Sequence, residues 1–252
     1  MKKKGFSQFT SLKAYQEINK TDFEGIIFSN ELIDALPIHV IEMQNSEIYE
    51  VFVTYDEKTE RLIEEKKLCT NEDILLWLEK HGPILNEQQR IEIPLNMNKW
   101  IKEVDAFLKR GLLVTIDYGF TKEEWTMPQR KKGSLRGYYK HQLVNDPLLH
   151  PTEMDLTTHI HLDAYEAVLK EEGFVKVYDE RNRFLLKIGL LKFLKENYDP
   201  NPFSQKSKQN RAIQTLLNDS GISAAFHVFL HGKNFQLVIY IAFSMRTHTK
   251  YK

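Results

Sequence analysis

The sequence predicts a mixed α/β fold: one domain carrying an inserted hairpin and helix. Three stretches carry that expectation. Phe23 to Asn30 is a short apolar run with a glycine near its start and polar residues at its end, which reads as a buried strand. Between Asn96 and Ile116, a helical face of Trp100, Ile101, Val104, Phe107 and Leu108 leads into Leu112-Leu113-Val114-Thr115-Ile116, a run apolar on both faces. A helix feeding a doubly buried strand is typical of α/β sheets. The step repeats where Leu162, Tyr165, Val168 and Leu169 mark a helix capped by Gly173, followed by a strand from Phe174 to Tyr178.

The remaining elements follow in order. Glu31 to Leu36 reads as a brief turn or helix stopped by Pro37, after which Ile38, Val40 and Ile41 resume extended structure. Residues 47–69 alternate and are rich in charge, which suits a solvent-facing antiparallel hairpin. Asn71 to Lys80 is predicted helical, with Thr70 and Asp73 at capping-box-like spacing and Gly82-Pro83 closing it. Gly111 stands where the C-terminal cap of the helix before it belongs. Arg181 to Glu196 and Lys206 to Asn218 give a third and a fourth helix. Two apolar runs, Ala224 to Leu230 and Phe235 to Phe243, flank His231-Gly232-Lys233-Asn234, a good hairpin loop.

Composition narrows the function classes. The 252 residues include 35 basic and 35 acidic side chains, so no whole-domain electrostatic case exists for nucleic acid or an anionic membrane. A single cysteine, Cys69, excludes an internal disulfide and a multi-thiolate metal site and suits a reducing cytoplasm. Met1-Lys2-Lys3-Lys4 is not followed by an apolar core, and the run Phe235 to Phe243 is too short to span a bilayer as a helix, so a cytoplasmic location is expected. No two of the 11 glycines are separated by a single residue, so the chain holds neither a G-x-G dinucleotide fingerprint nor a P-loop.

Ligands of open α/β sheets bind beyond the carboxyl ends of the strands. Two such ends are visible, Ser29-Asn30-Glu31-Leu32-Ile33-Asp34 and Asp117-Tyr118-Gly119. Their polar residues suit helix capping and turns, yet Asn30, Glu31, Asp34 and Asp117 would converge on one crevice. The basic, aromatic stretch Lys131 to His141 reads as a mobile loop over that crevice, with Gly133 and Gly137 as hinges. His159 and His161, on one face of a strand with Asp155 or Glu153 nearby, imitate a metal site, but no H-E-x-x-H spacing supports one and no metal is expected.

Three ordered segments resemble the MidA-like family of class I S-adenosylmethionine-dependent methyltransferases. Phe28-Ser29-Asn30-Glu31-Leu32-Ile33-Asp34-Ala35-Leu36-Pro37-Ile38-His39 is similar to the family's NE-x-x-DA-x-P-V/I-H motif, and Leu112 to Phe120 to its LL-x-IDYGY strand. Gly133-Ser134-Leu135-Arg136-Gly137-Tyr138, His141, Asp146-Pro147-Leu148 and Asp155-Leu156-Thr157-Thr158-His159 resemble its GTLR-x-Y, H, DPL and D-L/I-T-x-H signature. The resemblance runs from about residue 25 to about residue 231, with an insertion over about 45–95, and leaves 236–252 unmatched. It implies a Rossmann-like methyltransferase sheet that binds S-adenosyl-L-methionine. Family members are similar to protein arginine methyltransferases of complex I assembly, so the implied partner is a protein arginine side chain. By the same resemblance Glu31 and Asp34 are the catalytic carboxylates and Asn30 and Asp117 touch the cofactor. Tyr118, Arg136, His141, Asp155 and His159 line the substrate or the covering loop, and a structural pairing of Arg136 with Asp155 stays open.

The family's first strand leads into a G-x-G loop for the cofactor, and this chain reads as beginning after it, at the approach to the fourth sheet strand. A single partial domain over 1–252 is therefore expected, with cofactor binding in this chain in doubt and an exposed sheet edge through which it associates. Ser134 replaces the family's usual threonine, Thr152 stands where glycine is common, and His161 where aspartate is, which weighs against a zinc site. The alternative is a non-catalytic remnant, an assembly factor that binds protein with the old substrate surface.

Overall fold

The computed structural model describes residues 23–181, 183–187, 189–194, 196, 201–217 and 226–234. Its central sheet has the order β1-β6-β12-β11, formed by β1 (Phe23–Asn30), β6 (Leu108–Phe120), β12 (Phe226–Lys233) and β11 (Val175–Arg181). β1 runs parallel to β6, whereas β12 is antiparallel to both its neighbours, which makes the mixed sheet the sequence predicts. A two-residue β10 (Ile160–His161) joins the end of β6. Helix α1 (Glu72–His81) comes first in the chain; α2 (Leu95–Phe107), the one-turn α3 (Lys122–Trp125) and α4 (Leu162–Glu171) follow, and α2 and α4 cover one face. Met97, Ile101 and Val104 of α2 and Tyr165, Val168 and Leu169 of α4 are buried with Leu113 of β6. Their three- and four-residue spacing puts each set on one helical stripe.

Residues 39–93 form more than the expected hairpin and helix. β2 (His39–Gln44), β3 (Glu47–Asp56), β4 (Arg61–Leu68) and β5 (Arg90–Ile93) make a second, antiparallel sheet of order β4-β3-β2-β5. A third sheet, β8-β7-β9, is built from β7 (Arg136–Tyr139), β8 (Gln142–Val144) and β9 (Asp155–Thr157). The fourth expected helix is present as Gln205–Leu217.

Several local expectations are corrected. The cap of α1 is Asn71, whose side chain accepts from the Asp73 amide at 3.0 Å, rather than Thr70. α2 ends at Phe107 and Leu108 already belongs to β6, so Gly111 lies inside the strand, opposite Gly25. The stretch expected as a third helix begins as strand and continues as a five-residue helix, Arg183–Lys187, and a 3-10 turn, Leu190–Phe193, divided by Gly189 at φ +92°. His231, Gly232 and Lys233 pair with β6 inside β12 instead of forming a loop, because ladder bonds on both edges of a central strand outweigh local turn preference. Phe235 to Phe243, the tail 236–252 and Met1 to Lys4 lie outside the described residues. The β1–β6 pair is buried on one face only: opposite the helices, Ile26 and Phe28 are 64% and 63% exposed among the described residues. No helix among the described residues is long and apolar enough to cross a membrane.

Candidate functional site

The site begins where β1 and β6 end side by side, with Asn30 in register with Ile116. The Glu31 amide donates to the Ile116 carbonyl at 2.9 Å, and Glu31 turns the chain at φ +47°. A non-glycine residue in the left-handed region costs about 1 kcal/mol and persists where its surroundings enforce it. Asp117 provides the enforcement. Its Oδ2 accepts from the Ile33 amide at 3.1 Å and the Asp34 amide at 3.3 Å, and its Oδ1 from the Tyr118 amide at 2.9 Å. The Asp34 carbonyl in turn accepts from the Thr158 amide at 3.0 Å, which ties the turn to the segment carrying His159.

Above this floor opens a cleft of about 570 Å³ lined by Glu31, Tyr118, Arg136, His141, Asp155 and His159. Six of the nine predicted side chains thus share one cavity wall. The other three do not line it. Asn30 is exposed, with its amide 3.4 Å from Glu31 Oε1. Asp34 is buried beneath, with Oδ1 lacking a hydrogen-bond partner among the described residues. Asp117 is fully buried and its carboxyl accepts from backbone amides, which makes it a strut that shapes the Glu31 turn.

Aromatic packing fixes the walls. The His159 ring stacks on Phe120 at 4.2 Å and meets Tyr118 edge-on at 4.9 Å, and Phe226 closes the other side of Tyr118 at 5.4 Å. Arg136 holds its guanidinium over the Tyr118 and Tyr138 rings at 5.6 and 6.0 Å. His161 does not join His159: it stacks on Trp125 at 4.4 Å, with Nε2 2.8 Å from the Glu92 carbonyl. Among the described residues, no three His, Cys, Asp or Glu side chains gather as metal ligands.

The stretch 131–141, expected as a mobile loop, is anchored. Glu92 of β5 is buried, and its carboxylate accepts from the Ser134 amide (2.9 Å), the Ser134 hydroxyl (2.9 Å) and the Leu135 amide (3.0 Å). Gly137 is a strand residue of β7 packed on Met154, not a hinge. Glu92 escaped the sequence reading. The available signal was an acidic residue between two isoleucines, a charge placed on an otherwise apolar strand.

Burial sets the electrostatics. It pushes Asp117 up to about 8, helped by the neighbouring Asp34 carboxylate. Asp34 is also raised by burial, against the opposing hydrogen-bond influence of Tyr118, and the Tyr118 phenol is raised by burial and by Asp34. His159 is lowered to about 3 by burial and the nearby Arg136 and Arg130, and His161 to about 4 by burial. Both imidazoles are therefore neutral at pH 7.

A pH dependence follows from linkage. Asp117 titrates near 4 when unfolded, so folding retains its proton, and the stability it contributes is lost as pH rises towards 8. The two histidines have the opposite sign: folding favours their neutral forms, and that stability is lost as pH falls below about 6.5. Between pH 6.5 and 8 only Asp117 of these three still differs between states. Thermal melts are expected to show a loss of about 2 kcal/mol over that interval, and Asp117→Asn is expected to flatten it. An unchanged slope in Asp117→Asn would remove Asp117 as its source.

Residues 3–179 match the family described as "Putative S-adenosyl-L-methionine-dependent methyltransferase". No curated protein matches the chain. Two crystal structures of COG1565-superfamily proteins from Burkholderia thailandensis share its fold. One, solved with S-adenosyl-homocysteine bound, has a TM-score of 0.74 and 25% identity over 84% of this chain and 54% of its own. The other, a native structure, has a TM-score of 0.75 and 25% identity over 84% of this chain and 56% of its own. The chain thus spans little more than half the length of these relatives.

Proposed function

The chain belongs to that S-adenosyl-L-methionine-dependent methyltransferase family, and from this membership we propose that its strand-end cleft directs methylation of an arginine side chain on a protein. The observation that carries the reading is Glu31, a carboxylate held by a left-handed turn where two parallel strands end, on the rim of an aromatic-walled cleft. A guanidinium stays protonated at working pH, and a carboxylate holds its planar fork through two parallel hydrogen bonds. Glu153 and Asp155 join Glu31 to put three acidic side chains on the same cleft against the two cations Arg136 and Lys140, and Arg136 already covers the Tyr118 and Tyr138 rings. This donor set fits a cationic acceptor.

S-adenosyl-L-methionine, when bound, supplies an electrophilic methyl group on a sulfonium. The work of this chain's residues is positioning, which brings reacting atoms to about 3 Å. Glu31 orients the acceptor nitrogen, Asp34 is the second carboxylate below it, and Asn30, exposed on the same turn, is the residue assigned to the cofactor. Arg136, His141, Asp155 and His159 border the acceptor. With no G-x-G in the chain, we assign the cofactor's methionine end to the part of the relatives' fold that this chain does not span. The open β1 edge supports that assignment, since β6 is its sole strand partner among the described residues and Ile26 and Phe28 stand exposed beside it. The chain by itself is expected to self-associate through this edge in sedimentation experiments. A monomer that melts cooperatively would contradict the expectation.

The missing G-x-G also favours one rival, a non-catalytic assembly factor that grips protein with the same cleft. Transfer of labelled methyl from S-adenosyl-L-methionine to an arginine-containing peptide separates them, using the chain extended to the relatives' length. Label recovered on arginine supports the proposal. Cofactor binding without transfer, or label on another residue type, overturns it.

A further inference from the structure

We infer that Glu92, supplied by the inserted sheet, is a positioning residue that sets the β7–β9 wall of the cleft through Ser134. The wall's strands are short, three or four residues each, and two-stranded pairings of that size are marginal by themselves. Something must hold them to the rest of the molecule, and β5 grips the segments that precede and follow them by three routes. The Glu92 carboxylate accepts both amides of Ser134 and Leu135 together with the Ser134 hydroxyl. The Arg90 amide donates to the Lys131 carbonyl at 2.8 Å. The Glu92 carbonyl accepts from His161 Nε2.

Ser134 carries the link onward. Its Oγ, while donating to Glu92, accepts from the His159 amide at 2.8 Å, so one hydroxyl joins the inserted sheet to the backbone of a residue lining the cleft. A buried carboxylate surrounded by donors fixes their positions, because a donor buried without its acceptor loses its hydration and gains nothing in return. The backbone is built around this contact. Gly133 sits at φ +77°, and a Cβ there would come within 2.3 Å of Glu92 Oε1. The consequence is that the Glu92 carboxylate and a hydroxyl at position 134 help to hold Arg136, next along the chain from this anchor, and His159 in place beside Tyr118.

The inference deepens the reading of this cleft as the acceptor site, and its test does not depend on transfer. Backbone amide exchange and the imidazole NMR signals of His159 are compared in the wild-type chain, Ser134→Ala, Ser134→Thr and Glu92→Gln. Ser134→Ala is expected to speed exchange across residues 134–144 and 155–159 by about tenfold and to shift the His159 ring signals. Exchange in β6 and α4 should stay as in the wild type. Ser134→Thr, which keeps the hydroxyl, should restore both readouts, and Glu92→Gln should follow Ser134→Ala. Wild-type protection in Ser134→Ala, or a uniform loss that includes β6 and α4, would overturn the assignment. If these results hold while the extended protein transfers no methyl group, the positioning role stands and the acceptor reading fails.

Discussion

Glu31→Gln in the extended protein is expected to lower kcat for arginine methylation by about 10³-fold while leaving S-adenosyl-L-methionine affinity within about twofold. The substitution keeps the size of the side chain and removes its charge. It also turns one of two acceptor oxygens into an amide that meets the guanidinium N–H groups donor to donor. The fork then loses its second hydrogen bond and its counter-charge together. The backbone should tolerate the change, since the turn at Glu31 is set by Asp117 and the Ile116 carbonyl, not by the Glu31 carboxylate. Steady-state rates with an arginine peptide read the effect. A variant with full activity would remove Glu31 from the acceptor site, and one that also fails to bind cofactor would place it elsewhere.

The largest effect on folding is expected from Gly111→Ala, at about 4 kcal/mol or more. Gly111 lies at φ +152° directly across from Gly25, and an added Cβ would stand 1.8 Å from the Gly25 carbonyl oxygen. The obstructing atoms all belong to the Gly25 backbone, so no side chain can swing away. β1 would have to separate from β6 or slip, and a one-residue slip would invert which β1 side chains face the helices. Either outcome displaces Glu31 from the Ile116 carbonyl and from the Asp117 strut. Gly25→Ala is the control, because its Cβ would meet the Phe23 ring at 2.8 Å, a side chain able to move. Thermal melts should show Gly111→Ala with a Tm lowered by roughly 10 °C or more, or no folded product, and Gly25→Ala far less affected. Equal losses in the two would contradict this account of the strand pair.

The parts of the fold legible in the sequence are those whose pattern is local. β1, the charged hairpin and the faces of α2 and α4 announce themselves through periodicity and turn residues. The strand ends were also legible, because polar residues directly after a buried run have few reasons to cluster. What could not be read depends on partners distant in the chain. Gly111 resembles a helix cap until Gly25, from another strand, is placed against it. His231-Gly232-Lys233 has the composition of a turn and becomes a strand because β6 and β11 occupy both its edges. Glu92 sits in a four-residue strand whose meaning lies 42 residues later, at Ser134. At the cleft, the convergence expected of Asn30, Glu31, Asp34 and Asp117 leaves only Glu31 on the wall, beside Tyr118, Arg136, His141, Asp155 and His159, which were singled out by family resemblance. Asp117 carries the same chemistry, but its depth below the surface turns it into a support.

The central claim is that this cleft is the acceptor half of a methyltransferase site whose cofactor half lies in the rest of the relatives' fold. Calorimetric titration with S-adenosyl-homocysteine tests it most directly, on this chain and on the chain extended to the relatives' length. The account predicts one site on the extended protein and none measurable on this chain. Absence of binding to a folded extended protein would contradict the claim, and equal binding by both would contradict the division between the halves.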